Sequence, residues 1–279
     1  MKSFKDSVVL ITGGGSGIGR LMALDFAGRG ARVVIWDLNQ EALGRVTEEA
    51  RRAGLSIRPM VCDVSSRQDV YRQAELLIKE AGPPDILINN AGVVSGRSML
   101  EIPDALIEKT MAVNVLALFW TAKAFLPVML ARNSGHIVTI ASAAGLIGVR
   151  GLADYCASKF AAFGFNESIR MELRRLKSRV RTTVVCPFFI DTGMFDGVKT
   201  RFPLLLPMLK SSYAAKKIVR AVLKNKEFLV MPRFVGAVFI LRLFPVRVLD
   251  LFAGFFGINH AMDEFSGRAG GRAGGGNRE

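Results

Sequence analysis

The 279-residue chain has only three cysteines and two histidines, and its acidic residues are outnumbered by basic ones, 24 to 38. Three cysteines are too few, and odd in number, for the disulfide framework of a small secreted protein. The two histidines have no partner residues in a ligand pattern, so no metal site is expected. Half of the residues are hydrophobic and the mean hydropathy is +0.30, which excludes an intrinsically disordered chain.

No targeting segment is evident. The first seven residues are mostly polar, and a strand-like run begins at Val8, so the sequence predicts neither a signal peptide nor an N-terminal anchor. No uninterrupted apolar stretch reaches the ~18–20 residues that a spanning helix needs. The nearest candidate, residues 234–258, contains charged residues and a proline: Arg242, Pro245, Arg247 and Asp250. We therefore expect a cytoplasmic protein.

The net charge of +14 is unevenly distributed. Residues 201–279 carry 13 Lys and Arg against 5 Asp and Glu, together with nine of the 19 phenylalanines. A basic, aromatic segment is typical of nucleic-acid binding, of contact with an anionic membrane, or simply of a soluble surface. Nucleic-acid binding is the weakest of these interpretations, because the basic residues alternate with aliphatic runs and no recognised binding module is present.

Strand-like and helical runs alternate along the chain, which predicts an α/β fold with a parallel sheet covered on both faces. Seven strands are expected, at residues 8–12, 32–37, 57–62, 85–89, 136–141, 181–186 and 227–231. The helices between them give a doubly wound, Rossmann-type sheet, and the remaining apolar residues form a C-terminal helical extension.

A glycine-rich segment, Thr12-Gly-Gly-Gly-Ser-Gly-Ile-Gly19, joins the first predicted strand to the first helix. Such glycines let the backbone approach a pyrophosphate, and the helix N-terminus supplies amides and partial positive charge. Asp37 ends the second strand, where a carboxylate accepts both ribose hydroxyls and repels a 2′-phosphate. This pattern predicts NAD rather than NADP, although Arg20 in the first helical turn favours a phosphate. A purely structural glycine turn with a surface aspartate is the alternative.

Further motifs follow in a recognisable order. Asn-Asn-Ala-Gly occupies residues 89–92 at the end of the fourth strand, Asn114 lies in the next helix, and Ser142 follows the fifth strand. Tyr155 and Lys159 then form a Tyr-x-x-x-Lys motif. With the glycine-rich segment, these motifs resemble the classical type of short-chain dehydrogenase/reductase over residues 6–231. Segments such as Gly257–Asp263 also resemble its branch of membrane-associated retinol dehydrogenases and 17β-hydroxysteroid dehydrogenases.

The resemblance implies a catalytic set of Asn114, Ser142, Tyr155 and Lys159. Tyr155 and Lys159 are one turn apart and share a helix face. An ammonium near a tyrosine, whose pKa is ordinarily ~10, lowers that pKa and makes the phenol a usable base. Ser142 would hold the substrate oxygen, and in the family Asn114 holds a water that links the lysine to solvent. An ordinary half-buried tyrosine is the alternative for Tyr155 alone.

The resemblance also implies the residues that contact the cofactor. Asp63 would bind the adenine amino group, and the segment after the sixth strand would contact the nicotinamide carboxamide, with Phe188 where the family usually has glycine. The predicted cofactor-binding residues are Gly13, Ser16, Gly17, Ile18, Gly19, Asp37, Asp63, Val64, Asn90, Ala91, Gly92, Tyr155, Lys159, Pro187, Ile190 and Thr192.

Three regions are expected. Residues 1–232 form the Rossmann catalytic domain, with a substrate lid at about 192–226; residues 233–266 form an amphipathic extension; residues 267–279 are a disordered Gly/Arg tail. Within 234–258, Pro245 predicts two helices rather than one. A basic, Phe-rich, amphipathic segment favours peripheral membrane contact, with a dimer interface or core cover as the alternative.

The function expected is an NAD-dependent dehydrogenase/reductase acting on a lipophilic alcohol or carbonyl, retinoid-like or steroid-like. Reduction of a long-chain keto-lipid or a xenobiotic carbonyl is a second hypothesis, and a non-catalytic, lipid-associated NAD(H)-binding protein is a third. A homodimer or homotetramer is expected. A complete catalytic set argues for an enzyme, because a protein that only senses or scaffolds does not need it.

Overall fold

The computed structural model describes residues 3–267. The predicted disordered tail after Gly267 lies outside the described residues. Seven parallel strands form one sheet in the order β3-β2-β1-β4-β5-β6-β7. Their bounds are Val8–Thr12, Arg32–Asp37, Ile57–Val61, Ile86–Asn89, His136–Ile140, Arg181–Pro187 and Phe228–Met231 for β1 to β7. The predicted fold class is confirmed, and each predicted strand end lies within one residue of the observed one.

Helices cover both faces of the sheet. The helices α1 to α9 are Gly17–Gly28, Gln40–Arg52, Arg67–Ala81, Asp104–Met111, Ala117–Ala131, Ala153–Arg175, Ser211–Leu223, Ala237–Leu241 and Val246–Phe255. Alternate residues of β1 point to opposite faces: Val9 and Ile11 pack with α1 and α7, whereas Leu10 packs with α3 and α5. Burial on both faces explains why the central strands are continuous apolar runs.

The strand order reverses between β1 and β4, which are neighbours in the sheet. The connections after these two strands leave toward opposite faces, so a crevice opens between them at the carboxyl edge of the sheet. The glycine-rich segment follows β1 and the Asn-Asn-Ala-Gly motif follows β4. Both motifs therefore meet at the place where open α/β sheets bind ligands.

One continuous helical run, Asp104–Ala131, contains α4, a π-helical segment at Ala112–Leu116 and α5. Among the described residues it is the one helix long and apolar enough to cross a membrane, with a mean hydropathy of 1.7. The sequence pattern instead indicates residues 234–258 as the nearest candidate. Because this run packs against α3 and α6, we interpret it as a covering helix of the sheet.

The segment after β6 has two parts. Residues 191–210 are irregular, whereas α7 buries Ala214, Ile218 and Val222 against α1 and the sheet. Within the predicted lid, only the irregular part lies over the cavities described below. After β7 the chain forms α8 and α9, separated at Pro245 as that proline predicts, because its ring cannot continue a helix.

Candidate active site

The glycine-rich segment folds tightly against the start of α1. Gly13 has φ +64°, and a Cβ at this position would lie 2.8 Å from the Ala91 Cα. A Cβ on Gly19 would lie 2.1 Å from the Gly13 carbonyl oxygen. Only glycine permits this approach, which directs the free amides of the first turn of α1 into the crevice.

Hydrogen bonds join the turn after β4 to this glycine-rich segment. The Thr12 hydroxyl accepts the backbone N–H groups of Asn90 and Ala91 at 3.0 and 3.1 Å. In return, the Asn90 side-chain amide donates to the carbonyl oxygens of Thr12 and Gly13 at 2.9 and 3.1 Å. Asn90 thus lines the crevice while its side chain holds the two loops of the switch point together.

Two carboxylates lie at the far end of the crevice. Asp37 accepts the Gly15 N–H through Oδ2 at 2.9 Å and the Asn39 N–H through Oδ1 at 3.0 Å. Asp63 accepts both the N–H and the hydroxyl of Ser65 through Oδ1, at 2.9 and 2.6 Å. Each carboxylate is therefore oriented by neighbouring backbone and keeps lone pairs for a ligand.

The crevice has a volume of about 670 Å³. Its walls include Ser142 of the predicted catalytic set and nearly all of the predicted cofactor-binding residues. These are Gly13, Ser16, Gly17, Ile18, Asp37, Asp63, Val64, Asn90, Ala91, Gly92, Tyr155, Lys159, Pro187, Ile190 and Thr192. Gly19 and Asn114 lie behind the wall. Sequence reasoning missed the contribution of α4 and the π-helical segment, for example Lys109 and Val113. These two residues are four apart and therefore share a helix face, but no motif singles them out.

Ser142, Tyr155 and Lys159 converge at the inner end of the crevice. Ser142 follows β5 and hydrogen-bonds with Tyr155, and its hydroxyl also accepts the Ala144 N–H at 3.1 Å. The Lys159 Nζ lies 5.5 Å from the centre of the Tyr155 ring and donates to the Ile140 carbonyl at 3.0 Å. All three side chains are more than nine-tenths buried.

Burial changes the titration of this cluster. It raises the pKa of Tyr155 well above its usual value of 10, and the hydrogen bond with Ser142 only partly opposes that rise. Desolvation of the phenolate is the largest influence on this pKa, and it acts against the lowering that the spacing of Tyr155 and Lys159 predicts. Burial likewise lowers the pKa of Lys159 to about 8. At neutral pH, Tyr155 holds its proton and Lys159 is still mostly charged.

Asn114 lies in the π-helical segment, a local distortion that often marks functional sites and that periodicity did not predict. Its side chain is 2% exposed and forms two hydrogen bonds with the Val93 backbone, at 2.8 and 2.9 Å. Its amide also donates to the Ser158 hydroxyl at 3.0 Å. The side chain thus fixes the loop segment after Gly92 against α6 at Ser158, one residue from Lys159.

Asp154 is a buried carboxylate that the sequence analysis did not single out. It accepts hydrogen bonds from the Ser95 and Thr110 hydroxyls, each at 2.8 Å. These bonds tie the first turn of α6, which carries Tyr155, to α4 and to the loop after β4. No sequence motif indicates them, because the three residues come from distant segments.

A second, apolar cavity adjoins the crevice and shares Ser142, Tyr155, Phe188 and Phe195 with it. It is narrow, about 70 Å³, and α8 and α9 form its outer wall through residues such as Val238 and Ala253. The lining rings of Phe234 and Phe252 are also solvent-exposed, so the cavity reaches the protein surface there. The tyrosine therefore stands where a polar crevice meets an apolar cavity.

Replacing Lys159 by Met is expected to stabilise the unliganded protein at pH 7. The unfolded lysine keeps a pKa near its model value of 10.5, whereas the folded one titrates at about 8. The unfolded state therefore binds more protons between these values, and wild-type stability rises as pH increases through this window. We expect a gain on the order of 2 kcal/mol at pH 7. Thermal unfolding of both proteins should show that this gain in stability becomes smaller toward pH 10. A gain that does not change with pH would contradict the burial argument.

The fold and the Ser142–Tyr155–Lys159 cluster define a class, the Rossmann-fold oxidoreductases. Residues 7–201 match the short chain dehydrogenase family. Human epidermal retinol dehydrogenase 2 is 50% identical over 267 residues, which cover 95% of this chain and 86% of that protein. The chain belongs to the short-chain dehydrogenase/reductase family, in its retinol dehydrogenase branch. It is an oxidoreductase that acts on CH–OH groups.

Solved structures agree with this assignment. A short-chain dehydrogenase/reductase from Burkholderia phymatum in complex with NAD superimposes with a TM-score of 0.79 at 27% identity, covering 90% of this chain and 97% of that one. A metagenomic short-chain oxidoreductase in complex with NADP gives a TM-score of 0.68 at 29% identity, covering 81% and 95%. Neighbours of this fold thus include complexes with either nicotinamide dinucleotide.

Proposed function

We propose that the protein interconverts a lipophilic secondary or allylic alcohol and its carbonyl compound, with NAD as the hydride carrier. The observation that carries this proposal is the position of Tyr155, with Ser142 and Lys159, at the junction of a dinucleotide-sized crevice and an apolar cavity. The named relative is a retinol dehydrogenase, which supports an isoprenoid-like alcohol as the substrate class.

The residues of the crevice fit a dinucleotide. A Cβ on Gly13 or Gly19 would collide with neighbouring backbone, so these glycines permit the tight turn beside the crevice. The amides at the start of α1 next to this turn suit a pyrophosphate. Asp37 would accept the two adenosine ribose hydroxyls, and Asp63 with Val64 would receive the adenine. At the other end, Lys159 would bind the nicotinamide ribose, and Pro187, Ile190 and Thr192 would receive the carboxamide. When bound, the nicotinamide supplies the hydride acceptor or donor.

The side chains of this chain would do the proton chemistry. Ser142 would donate a hydrogen bond to the substrate oxygen and hold it beside the tyrosine hydroxyl. In reduction, the protonated Tyr155 would transfer its proton to the forming alkoxide. In oxidation, it must first release that proton, and the Lys159 ammonium would stabilise the resulting phenolate. A water held at Asn114 would link Lys159 to solvent and let protons leave, as the family resemblance implies.

NAD is favoured over NADP by the charges around Asp37. Its carboxylate is held over the glycine-rich segment, where it would repel a 2′-phosphate. Arg20 of the first turn of α1, which favours a phosphate, forms an ion pair with Glu49 of α2. Both features support NAD as the preferred cofactor.

Asp37→Ser is expected to reverse or abolish this preference. Removing the carboxylate deletes the ribose contact and the repulsion of a phosphate, so kcat/KM with NAD should fall ~10–100-fold while that with NADP rises. Initial rates with both cofactors measure the ratio. Asp25→Ser, which changes a carboxylate paired with Arg29 on α1, is the control. An unchanged NAD/NADP ratio would contradict the role of Asp37.

The substrate assignment is tested with a panel of alcohols. Initial rates would be measured with NAD and NADP on retinol, a steroid alcohol, a long-chain secondary alcohol and propan-2-ol. We expect the highest kcat/KM with NAD and a lipophilic alcohol. Preference for a keto-lipid or xenobiotic carbonyl would favour the reductase hypothesis, and tight NADH binding without turnover would favour a non-catalytic role.

We also propose that the outer face of α8 and α9 contacts a membrane peripherally. Leu243, Val246 and Leu251 are 84%, 72% and 73% exposed, and the basic residues Arg233 and Arg247 are exposed beside them. Such a surface suits an anionic bilayer. Since the apolar cavity reaches the surface at Phe234 and Phe252, a lipid-dissolved substrate could enter from that side.

A double substitution, Leu243→Asp with Val246→Asp, is expected to release the full-length protein from anionic vesicles. Burying two carboxylates at an interface costs several kcal/mol, so the bound fraction should fall more than ~10-fold. Co-sedimentation with vesicles of phosphatidylserine and phosphatidylcholine measures it. Leu176→Asp, a single change of the same kind at a 62% exposed residue that caps the C-terminal end of α6, should bind like wild type. Undiminished binding of the double variant would contradict the proposal.

A homodimer is proposed for the same chain. The outer faces of α5, of α6 and of the end of the π-helical segment expose Leu116, Phe119, Phe160 and Met171, which are apolar and 37–57% exposed. Such a shared face on two adjacent helices favours a self-complementary interface. Sedimentation velocity of the wild-type chain and of Phe119→Glu would test this interface.

A further inference from the structure

Residues 258–267, named here the C-terminal strap, run back from α9 over the carboxyl edge of the sheet. They contact three loops there: the loop after β4 at Gly96, the loop after β5 at Arg150, and the lid at 195–199. Because the reacting groups lie at this edge, the strap borders the site described above.

Polar contacts fasten the strap to the lid. The Lys199 N–H donates to the Ala261 carbonyl at 3.3 Å, and the Ser266 N–H donates to the Asp196 carbonyl at 2.9 Å. Lys199 and Glu264 also form an ion pair at 2.6 Å. The exposed ion pair contributes little by itself, so the backbone hydrogen bonds define the alignment.

Two glycines in different loops are shaped to accept the strap. Gly96 has φ +64°, and a Cβ there would lie 1.9 Å from the Phe265 ring. Gly197 has φ +87°, and a Cβ there would lie 2.0 Å from the Glu264 carbonyl oxygen. A side chain at Gly197 would collide with the strap backbone, and one at Gly96 would displace the Phe265 ring. This fit on two independent loops distinguishes a docked element from a loose end.

A chain of aromatic contacts leads from the strap to the reacting hydroxyl. The Phe265 ring lies 6.5 Å from that of Phe195, which in turn meets the Tyr155 ring edge-on at 5.7 Å. Phe189 supports Phe195 from another side, at 5.1 Å. Met262 of the strap packs in the same cluster as Tyr155. The strap thus packs against Phe195, the ring that covers Tyr155.

We propose that the C-terminal strap is a specificity element and that Phe265 is a positioning residue, which holds Phe195 against Tyr155. With the strap docked, Phe195 closes the aqueous side of the site, and substrate reaches Ser142 and Tyr155 from the apolar cavity. The enzyme then selects lipophilic alcohols over small water-soluble ones. This inference rests on the proposed function for its substrate class, whereas the docking of the strap is independent of it.

The docking is tested by amide hydrogen exchange of residues 193–199 in the full chain. Phe265→Ala removes the ring, and Gly96→Ala collides with it; each should accelerate exchange in the lid ~10-fold. Gly151→Ala is the matched control, because Gly151 also has φ +76° but its Cβ would make only an ordinary 3.7 Å contact with Met262. It should leave lid exchange unchanged. Unchanged exchange in both test variants, or equal acceleration in the control, would overturn the proposal.

The specificity is tested with the same variants. In Phe265→Ala, the ratio of kcat/KM for retinol to that for propan-2-ol should fall ~10-fold, Phe265→Leu should restore most of it, and NADH affinity should not change. An unchanged ratio in Phe265→Ala would overturn the role in specificity. If the wild-type protein oxidises no alcohol while lid exchange responds as expected, the proposed function fails and the docked strap stands.

Discussion

Tyr155→Phe is expected to lower kcat by about 10³-fold while leaving the affinity for NADH nearly unchanged. The substitution removes the hydroxyl that exchanges a proton with the substrate oxygen and retains the ring that packs against Phe195. Stability should change little, because the hydroxyl loses only its hydrogen bond with Ser142. Steady-state rates and a fluorescence titration with NADH measure the two quantities.

The chain offers a matched control for this substitution. Tyr213 and Lys217 repeat the Tyr-x-x-x-Lys spacing on α7, but Tyr213 is 49% exposed and outside both cavities. Tyr213→Phe should therefore leave kcat within about twofold of wild type, as surface substitutions usually do. Retained turnover in Tyr155→Phe would show that another group moves the proton.

Gly19→Ala is expected to weaken NADH binding by about 100-fold, because displacing the phosphate-binding amides by even ~1 Å has effects of this size. Its Cβ would lie 2.1 Å from the Gly13 carbonyl oxygen and 2.7 Å from the Asn90 amide nitrogen. The start of α1 must then shift away from the loop that it orients. Isothermal titration with NADH, at a temperature where the variant is folded, measures the loss.

Gly44→Ala provides the contrast. Gly44 lies within α2, and a Cβ there would meet nothing within 4 Å. Because alanine is the better helix former, the free energy of unfolding of this variant should rise by up to ~1 kcal/mol. The variant should bind NADH like wild type. If Gly19→Ala also binds NADH like wild type, the turn at Gly13 and Gly19 is not part of the dinucleotide site.

Local signals made most of the fold and the crevice predictable. The strands are short β-branched runs bounded by turns, and glycine motifs act through the backbone within a few residues. The order of β1 and β4 then follows from how parallel sheets are wound. This is why Thr12–Gly19, Asp37 and the Tyr155–Lys159 pair lie together as the sequence indicates.

Features that depend on distant contacts were not predictable. Arg242 is one of the charged residues of 234–258, and it is exposed. Its hydrogen bond to the Leu146 carbonyl at 3.0 Å and its position over the Phe160 ring could not be predicted, because periodicity shows which residues share a face and not what that face meets. The packing of the inner faces of α8 and α9 around the apolar cavity could not be predicted for the same reason.

The titration of Tyr155 shows a second limit. The spacing of Tyr155 and Lys159 predicts that the lysine charge lowers the pKa of the tyrosine, but it does not show how deeply the tyrosine is buried. Burial is the largest influence on that pKa, and it raises it. The Asp154 hydrogen bonds, the π-helical segment at Asn114 and the docking of the strap at Gly96 likewise arise from tertiary packing between segments far apart in the chain.

The transfer of a labelled hydrogen tests the central claim most directly. Retinol deuterated at the carbinol carbon would be incubated with NAD and the full-length enzyme, and the reduced cofactor analysed by mass spectrometry. We expect NADH one mass unit heavier than unlabelled NADH with the wild-type protein and with Tyr213→Phe, and almost none with Tyr155→Phe. Absence of deuterium from the cofactor, in a protein that binds NADH tightly and is offered the full alcohol panel in labelled form, would contradict the account.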